Sequence, residues 1–527
     1  MCPVATIRYR ERTMRTRRAI YLSPALLLAV AGCGTAPGPN EPGGAACDGT
    51  SSCQGEPPPE SFCLERLAAD VWEDGCGVFV GGVWGSGDDA NPGTTKDKPV
   101  RTLQRGVELA RTGRGRVFAC ADGFFGPLTL PSGVDLIGGF GCVSWKRQAD
   151  TRSLIQISDK ADIVLTVVPA SDGDTGAADR VSTIVDMTFT AWGPITMLVR
   201  SNTAVELIRS ELRTSYGWAG HDGEKWGGLN QAARGPDGVY GGDACSADTV
   251  PGGPAVMNPC NGGIPSAGGK GGDGLADGAG DGEDGEPLSE PDPGHDGRGG
   301  LGNRADGGCG GGFTGKNGMW GTVGAAGQGI GRITETGWEA AWAGDGARGM
   351  PGQGGGGGGG RRGGLAACGV ASKGGAGGGS GGAGGCGGRG GRGGENGHPT
   401  IGIVALHANL TVRDTVIGTL AGGPGGDGGP PEQGGKGGRG ELGGAVGDGT
   451  WSCKGGDGGR GGDGGYGGPG RGGDSIGIAY LDEDRLTLEG VTYDLGPPGK
   501  GGVSWEWSGD EITGEDGTRV ETLRFPE

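Results

Sequence analysis

A glycine-rich repeat is the sequence feature that most constrains how this chain can fold. Residues 384–395 and 455–469 follow the pattern Gly-Gly-X, and residues 351–400 contain 27 glycines. Collagen needs glycine at every third position together with ~15–20% proline or more, whereas proline makes up 31 of the 527 residues here. Each glycine orders backbone at a high entropic cost and adds no side chain to a core. A single globule with a uniform apolar core is therefore not expected.

The period of three favours an extended helix like polyproline II, which has three residues per turn. Two faces of a Gly-Gly-X helix carry no side chain, so neighbouring helices can pack closely side by side. Residue X then lies on the outward face, as expected for Asp457, Arg460, Asp463 and Tyr466. This arrangement resembles the polyglycine-II bundles of some antifreeze proteins and phage tail adhesins. Flexible low-complexity loops are the alternative that the residues leave open.

Residues 1–32 are interpreted as an export signal. Basic residues Arg17 and Arg18 precede a short apolar run that is less than the ~20 residues needed to cross a bilayer. Residues 30–33, Val-Ala-Gly-Cys, resemble a bacterial lipobox, and the resemblance implies that Cys33 is the lipidated first residue of the mature chain. A plain secretory signal is the alternative, and Met14 competes with Met1 as the start. The implied location is the cell envelope, at the outer membrane or cell surface.

Charge and cysteine content suit that location. The net charge is −18 although residues 1–32 are basic, so nucleic acid is not expected as a partner. Twelve cysteines remain besides Cys2 and Cys33, and an even number outside the cytoplasmic membrane predicts disulfides. The preferred pair is Cys120–Cys142, which would staple one sheet-rich segment. Proximity in the sequence suggests three more: Cys47–Cys53, Cys63–Cys76 and Cys245–Cys260.

Residues 76–145 carry a resemblance to a known fold. Residues 87–94 (Gly-Asp-Asp-Ala-Asn-Pro-Gly-Thr) and 98–103 (Lys-Pro-Val-Arg-Thr-Leu) precede a predicted helix capped by Thr102, and strands follow. This order resembles the N-terminal part of right-handed parallel β-helix proteins of the pectin-lyase-like superfamily. It is most similar to the bacterial surface group with the DUF1565-type motif. The resemblance implies that the helix caps the open end of the first coil.

An internal repeat supports the same fold independently. Residues 195–197 (Ile-Thr-Met) are followed ten residues later by 205–207 (Val-Glu-Leu), and similar apolar triplets recur at 401 and 410 and at 476 and 486. Each copy runs into a turn, after which a glycine-rich segment begins. Because the segments leave from the same phase of the repeat, they are expected on one edge of a solenoid. A β-sandwich of short strands is the alternative.

The predicted fold class is all-β: a right-handed parallel β-helix with an N-terminal cap helix and glycine-rich insertions. The predicted organisation has seven parts: signal peptide 1–32, Pro/Gly-rich tether 33–60, capped β-helix 61–216, glycine-rich insertion 217–399, β-helix rung 400–420, glycine-rich insertion 421–474, and final rung with C-terminal strands 475–527.

Two kinds of candidate site were weighed. Residues 268–276 match the calcium-binding pattern GGxGxDxUx, which makes Asp273 a weak calcium candidate, with a solvated acidic loop as the favoured alternative. No other cofactor is expected. Pectin-lyase-like enzymes use clustered carboxylates and arginine, and the candidates here are Asp186, Glu206, Arg209, Arg413, Asp414 and Glu489. They are single charges on strand faces without a family catalytic motif, so no catalytic residue is assigned.

Two functions follow from these patterns. The favoured one is a non-catalytic surface lipoprotein with a structural, adhesive or surface-interaction role, held to the membrane by its lipid. The alternative is a carbohydrate-active β-helix protein that binds polysaccharide or cleaves it as a lyase or hydrolase.

Overall fold

The computed structural model describes residues 57–157, 163–171, 180–224, 231–288, 296–303, 308–447 and 449–526. The predicted signal, Cys33, the Cys47–Cys53 pair and most of the tether lie outside these residues. The described residues belong to one compact unit that begins at Pro57. None of its helices has both the length and the apolar character that crossing a membrane would require.

Short strands dominate the described chain. The helices are α1 (Glu60–Ala68), α2 (Leu103–Arg111) and α3 (Gly364–Cys368), with a 3-10 turn at Glu483–Arg485. The strands are β1 (Val78–Val80), β2 (Arg116–Cys120), β3 (Gly123–Phe125), β4 (Leu128–Pro131), β5 (Asp135–Phe140), β6 (Ser153–Gln156), β7 (Ile163–Val168), β8 (Ser182–Val185), β9 (Met187–Thr190), β10 (Ile195–Val199), β11 (Ala204–Ile208), β12 (Glu211–Arg213), β13 (Thr249–Val250), β14 (Val256–Asn258), β15 (Ser266–Gly268), β16 (Gly274–Leu275), β17 (Arg332–Thr334), β18 (Gly337–Glu339), β19 (Thr400–Ala405), β20 (Asn409–Arg413), β21 (Val416–Thr419), β22 (Ser475–Tyr480), β23 (Leu486–Glu489), β24 (Thr492–Leu495), β25 (Val503–Trp505), β26 (Glu511–Thr513) and β27 (Arg519–Arg524).

Three sheets form the part of the molecule that we call the spine. Sheet 1 has the order β1-β2-β5-β8-β11-β20-β23, sheet 2 the order β3-β6-β9-β12-β21-β24, and sheet 3 the order β4-β7-β10-β19-β22-β27. From β2 onward the chain visits sheets 1, 2 and 3 in turn, and we call one such circuit a rung. Neighbouring strands in these sheets run parallel. The β-sandwich alternative is therefore wrong, because a sandwich of that kind is antiparallel.

The three predicted repeat copies stack in register. Ile401 of β19 pairs with Ile195 on one side and Ile476 on the other. Leu410 of β20 likewise pairs with Val205 and Leu486. Side chains of successive rungs therefore stack on one another, and they fill a continuous apolar core between the three sheets.

Helix α2 closes the N-terminal end of this core, as the sequence predicts. The Thr102 hydroxyl accepts a hydrogen bond from the Arg105 N–H at 3.2 Å, which caps the helix. The apolar face of α2, including Leu103 and Val107, is buried on β1, β2 and β4. Helix α1 was not predicted: it begins at Glu60, the last residue of the predicted tether, and Arg114 and Arg116 both pair with that glutamate.

Each glycine-rich insertion lies between a strand of sheet 2 and the next strand of sheet 3. The first joins β12 to β19, the second joins β21 to β22, and the third joins β24 to β27. The prediction of a common exit phase is confirmed. The outer face of sheet 3 packs against the first insertion: Ile333 and Trp338 of the β17–β18 hairpin belong to a second apolar cluster together with Ile195, Ile401 and Ile476.

The described glycine-rich residues of 217–399, 421–474 and 496–518 form what we call the bundle. Its segments are joined by main-chain hydrogen bonds that advance by three residues. In segment 453–473, one set of glycines donates to segment 423–441 and the next set donates to segment 344–356. Carbonyl groups of the same segment accept hydrogen bonds from segment 312–327. Successive residues of one segment thus bond to different neighbouring segments. Packed helices with three residues per turn require this arrangement, and flexible loops do not.

The seven consecutive glycines 354–360 lie at the centre of the bundle and are all buried. Their N–H groups donate in turn to segments 280–286, 379–382 and 310–313, and their carbonyl groups accept from segments 269–272, 300–303 and Gly456. Six surrounding segments leave no direction in which a side chain could extend. The run is glycine because every face of it touches another backbone.

A methyl group inside the bundle should therefore be costly. A Cβ added at Gly461 would lie less than 3.0 Å from the Cys386 carbonyl oxygen. We expect Gly461→Ala to lower the free energy of unfolding by about 1–3 kcal/mol, the usual cost of overpacking, as measured by chemical denaturation. Gly278→Ala is the matched control, because a Cβ there meets nothing within 4 Å. Equal destabilisation by both variants would contradict the packing described above.

Candidate functional site

The corner between sheets 1 and 2 gathers most of the charged residues that the sequence analysis weighed for catalysis. Three successive rungs each turn this corner through one non-glycine residue with positive φ: Asp186 at 53°, Arg209 at 47° and Asp414 at 47°. Aspartate tolerates this conformation better than most residues, and arginine does not. Beside the three residues lies an open cleft with a volume of about 500 Å³, which Arg147 and Arg152 also line.

Hydroxyl groups fix the inner side of the same corner. Ser210 Oγ accepts from the Met187 N–H at 3.3 Å, and Thr415 Oγ1 accepts from the Ser210 N–H at 3.3 Å. Each hydroxyl also donates to the carbonyl oxygen two residues earlier in its own rung, at 2.9 Å and 2.8 Å. These hydroxyl hydrogen bonds satisfy buried main-chain groups at the corner, where the strand pairing of sheet 1 has ended and that of sheet 2 has not yet begun. They hold successive corner residues above one another.

The corner charges are paired with each other. Asp186 accepts from Arg209 Nε at 3.0 Å and from Arg147 Nε at 2.9 Å. Arg413 pairs with Glu206 at 3.0 Å and with Glu489 at 3.1 Å, which links three successive strands of sheet 1. Five of the six candidate residues therefore form ion pairs between rungs. The sequence located the residues, but their partners depend on the stacking.

The calcium candidate Asp273 lies within the bundle. Its Oδ1 accepts from the Gly252 N–H at 2.9 Å and pairs with Lys270 Nζ at 2.9 Å. The carboxylate therefore bonds to groups of the chain itself. Among the described residues, three or more groups that could together hold a metal occur at Cys120, Asp122 and Cys142, where the two cysteines form a disulfide.

Aspartates in the bundle perform a repeated task that the sequence analysis missed. Some N–H groups of the bundle, on glycines and on the residues between them, have no main-chain partner, and an aspartate of the adjacent segment accepts them. Asp237 accepts from Arg439 at 2.7 Å, and Asp463 accepts from Gly434 at 2.7 Å. The same contact is made by Asp222, Asp243, Asp345, Asp427 and Asp457. Much of the acidity of this chain therefore has a structural use.

The expected outward position of residue X is wrong for Asp463. That side chain is buried, because it bonds both Gly434 and Arg460. Arg460 precedes Asp463 by three residues, and four further pairs have the same spacing: Arg234–Asp237, Lys270–Asp273, Lys454–Asp457 and Arg471–Asp474. In a backbone with three residues per turn, side chains three residues apart lie on the same face, so the opposite charges of each pair are neighbours.

Five disulfides are present among the described residues. Cys63–Cys76 and Cys120–Cys142 are bonded as predicted. The predicted Cys245–Cys260 pair is wrong, because Cys245 bonds to Cys368 and Cys260 bonds to Cys386. The remaining pair, Cys309–Cys453, joins the first insertion to the second. Proximity in the sequence misled here because bundle segments far apart in the chain are neighbours in space.

Several exposed aromatic residues lie on the bundle. Trp320, Trp342 and Trp451 are 60%, 56% and 48% exposed. Trp451 of the second insertion lies 6.4 Å from Tyr240 of the first, measured between ring centroids. Trp507 of the third insertion lies 5.2 Å from Trp320 and 5.7 Å from Tyr466. Aromatic groups from different insertions thus meet at two places on the bundle.

His398 is held by aromatic contacts. Its ring centroid lies 4.9 Å from that of Trp338 and 5.5 Å from that of Trp218. The three rings line a small cavity of about 80 Å³ next to sheet 3, with Ile163 and Ile195. This contact joins the first insertion to the spine at the point where β19 begins.

Comparison with known proteins adds no relative to this picture. No protein-family model, curated protein or solved structure matches the chain.

The bundle carboxylates give stability a definite pH dependence. Burial by itself would raise the pKa of Asp457, but the hydrogen bond from Gly440 and the Lys454 ammonium group outweigh it, so this pKa lies below its ordinary value of 3.8. The pKa of Asp273 is lowered in the same way by Gly252 and Lys270. In the spine, burial raises the pKa of Asp135 instead.

Acid should therefore destabilise the bundle. A carboxyl group with a lowered pKa in the folded state stabilises it above the unfolded pKa, and this contribution is lost as the pH falls through 3.8 and below. We expect the Tm to fall with decreasing pH across this range, and to fall less steeply in Asp457→Asn. Asp484→Asn, which alters an exposed aspartate of the spine, is the control and should keep the wild-type slope. An unchanged slope in Asp457→Asn would contradict the assignment.

Proposed function

We propose that the spine is a right-handed parallel β-helix of the pectin-lyase-like kind and that the bundle is polyglycine II. Support for the first comes from the parallel sheets, the ordered visits to sheets 1, 2 and 3, and the cap formed by α2. Support for the second comes from the three-residue advance of the hydrogen bonds and from the six segments around residues 354–360. In this proposal the β-helix supplies a fixed edge on which the glycine-rich segments align.

The function that we propose is non-catalytic adhesion or surface interaction by a lipid-anchored envelope protein. The observation that carries it is the exposure of Trp320, Trp342 and Trp451 on a bundle fixed by main-chain hydrogen bonds and by three disulfides. Large aromatic side chains lose little conformational entropy on binding and dominate binding energies at interfaces. A rigid backbone lowers the cost of presenting them together. The partner is a polysaccharide or a surface protein.

The envelope location rests on Cys33 and the apolar run before it. Several acyl chains on one cysteine hold a protein stably at a bilayer, at ~0.8 kcal/mol for each buried methylene group. The disulfides of the bundle support an oxidising compartment. We propose anchorage at the outer membrane or cell surface.

A carbohydrate-active protein is the second candidate, and the cleft at the corner of sheets 1 and 2 favours it. The cleft is open, has a volume of about 500 Å³ and contains Asp186, Arg209 and Asp414. Incubation of the purified chain with a glycan panel, followed by product analysis, separates the two candidates. New reducing ends or unsaturated sugars would reject the non-catalytic function.

Adhesion should depend on the bundle tryptophans. We expect cells that display Trp320→Ser, Trp342→Ser and Trp451→Ser together to attach to a solid surface about tenfold less than wild type, because truncating a hot-spot residue costs 2 kcal/mol or more. The matched control is Trp84→Ser with Trp192→Ser, two spine tryptophans that are 85% and 70% exposed. Attachment is counted by microscopy after washing. Equal losses in both variants would indicate that exposed tryptophan in general is responsible, and not the bundle.

The lipid anchor has its own test. Cys33→Ala should move the protein from the membrane fraction to the soluble fraction, because this cysteine is the proposed acyl acceptor. The fractions are compared by immunoblot, with Cys2→Ala as the control that should stay with the membrane. Retention of Cys33→Ala in the membrane fraction would reject this anchorage.

A further inference from the structure

The two ends of the spine differ. At the N-terminal end, α2 lies on β1, β2 and β4 and covers the apolar core. At the other end, β23, β24 and β27 are the last strands of their sheets, and each pairs on one side alone within the described part of the chain. This end therefore presents three strand edges with unpaired main-chain groups.

The last rung retains apolar residues at core positions but leaves them uncovered. Leu488 pairs in register with Val412, and Tyr493 pairs in register with Ile417. Val412 and Ile417 are fully buried, whereas Leu488 is 36% exposed and Tyr493 is half buried. The side chains of the last rung are therefore of the type that the interior uses, at a place where the described residues supply nothing to cover them.

Proline and lysine, two residues that natural edge strands use against pairing, are absent from β23, β24 and β27. These strands do carry other charged residues, among them Glu489, Asp494 and Arg519. A partner at these edges must therefore complement those charges.

We propose that this end of the spine docks a second copy of the same chain, end to end. A partner that covers all three edges at once must itself present three edges in the same arrangement. Among the described residues, the last rung of another copy does this, since α2 blocks the opposite end. The assembly is therefore a closed twofold dimer and not a filament.

The edge charges are compatible with a twofold axis. Two copies related by such an axis present their three sheets in opposite order. One sheet therefore meets the same sheet of the other copy, and each of the remaining two sheets meets the other kind. If β27 met itself in antiparallel register, Arg519 would lie opposite Arg524, which is unfavourable. The axis therefore passes through sheet 1 or sheet 2. The arginines of β27 then face an edge that carries Glu489 or Asp494.

The test is the oligomeric state of the full chain carrying Cys33→Ala, which removes the proposed lipid. Analytical ultracentrifugation over a range of concentrations should give a monomer–dimer equilibrium. Leu488→Lys in this background should raise the dimer dissociation constant at least tenfold, because the lysine reaches water in the monomer and is buried in the dimer. Thr487→Lys, on the outer face of the same strand, is a second variant that should also weaken the dimer, because a lysine on an edge strand disfavours pairing with another strand.

The control is Leu365→Lys, which places the same charge at a leucine of the bundle that is 69% exposed. It should dimerise as the parent does. A parent chain that stays monomeric, a dimer that both lysine variants leave intact, or growth into longer oligomers would each overturn the proposal. Circular dichroism identifies any variant that fails to fold. None of these results depends on adhesion, so the proposed function and the dimer fail separately.

Discussion

Main-chain hydrogen bonding between segments that carry almost no side chains is the interaction on which this structure depends. In an ordinary domain, apolar side chains bring the elements together and hydrogen bonds are satisfied within them. In the bundle the order is reversed: glycines 354–360 contact six neighbouring segments through N–H and carbonyl groups. The entropic cost of ordering glycine is high, and it is offset where every face of the backbone makes a contact. This requirement explains why the chain contains so many glycines and why the Gly-Gly-X pattern repeats every three residues.

The spine solves the alignment problem that such a bundle creates. A Gly-Gly-X segment has a weakly specified register, because shifting it by three residues restores nearly the same contacts. The three insertions begin and end at β12 and β19, at β21 and β22, and at β24 and β27, whose register is fixed by stacked apolar side chains. Each segment therefore enters the bundle at a defined height. Disulfides such as Cys309–Cys453 fix the register again at the far side.

Charged side chains add specificity to both parts. In the bundle, aspartates such as Asp237 and Asp457 accept N–H groups that no carbonyl reaches, and several also pair with a cation three residues away. At the corner of the spine, Asp186 and Arg413 each pair with two residues of other rungs. Both arrangements use charge to satisfy polar groups and to fix register. The aspartates among these residues contribute to the net negative charge of the chain. The composition shows this charge but not the structural use of the aspartates.

Much of the architecture could be predicted from local sequence. The repeats that begin at Ile195, Ile401 and Ile476 indicated stacked strands, the common phase of the insertions indicated a shared edge, and Thr102 indicated the helix at the N-terminal end. These features depend on contacts with a fixed period along the chain, which a single sequence displays. The partners of Cys245 and Cys260, the burial of Asp463 and the meeting of Trp320 with Trp507 were decided by the tertiary structure. Each of them joins segments that are distant in the chain, and the repeat of glycine is too uniform to specify which segments become neighbours.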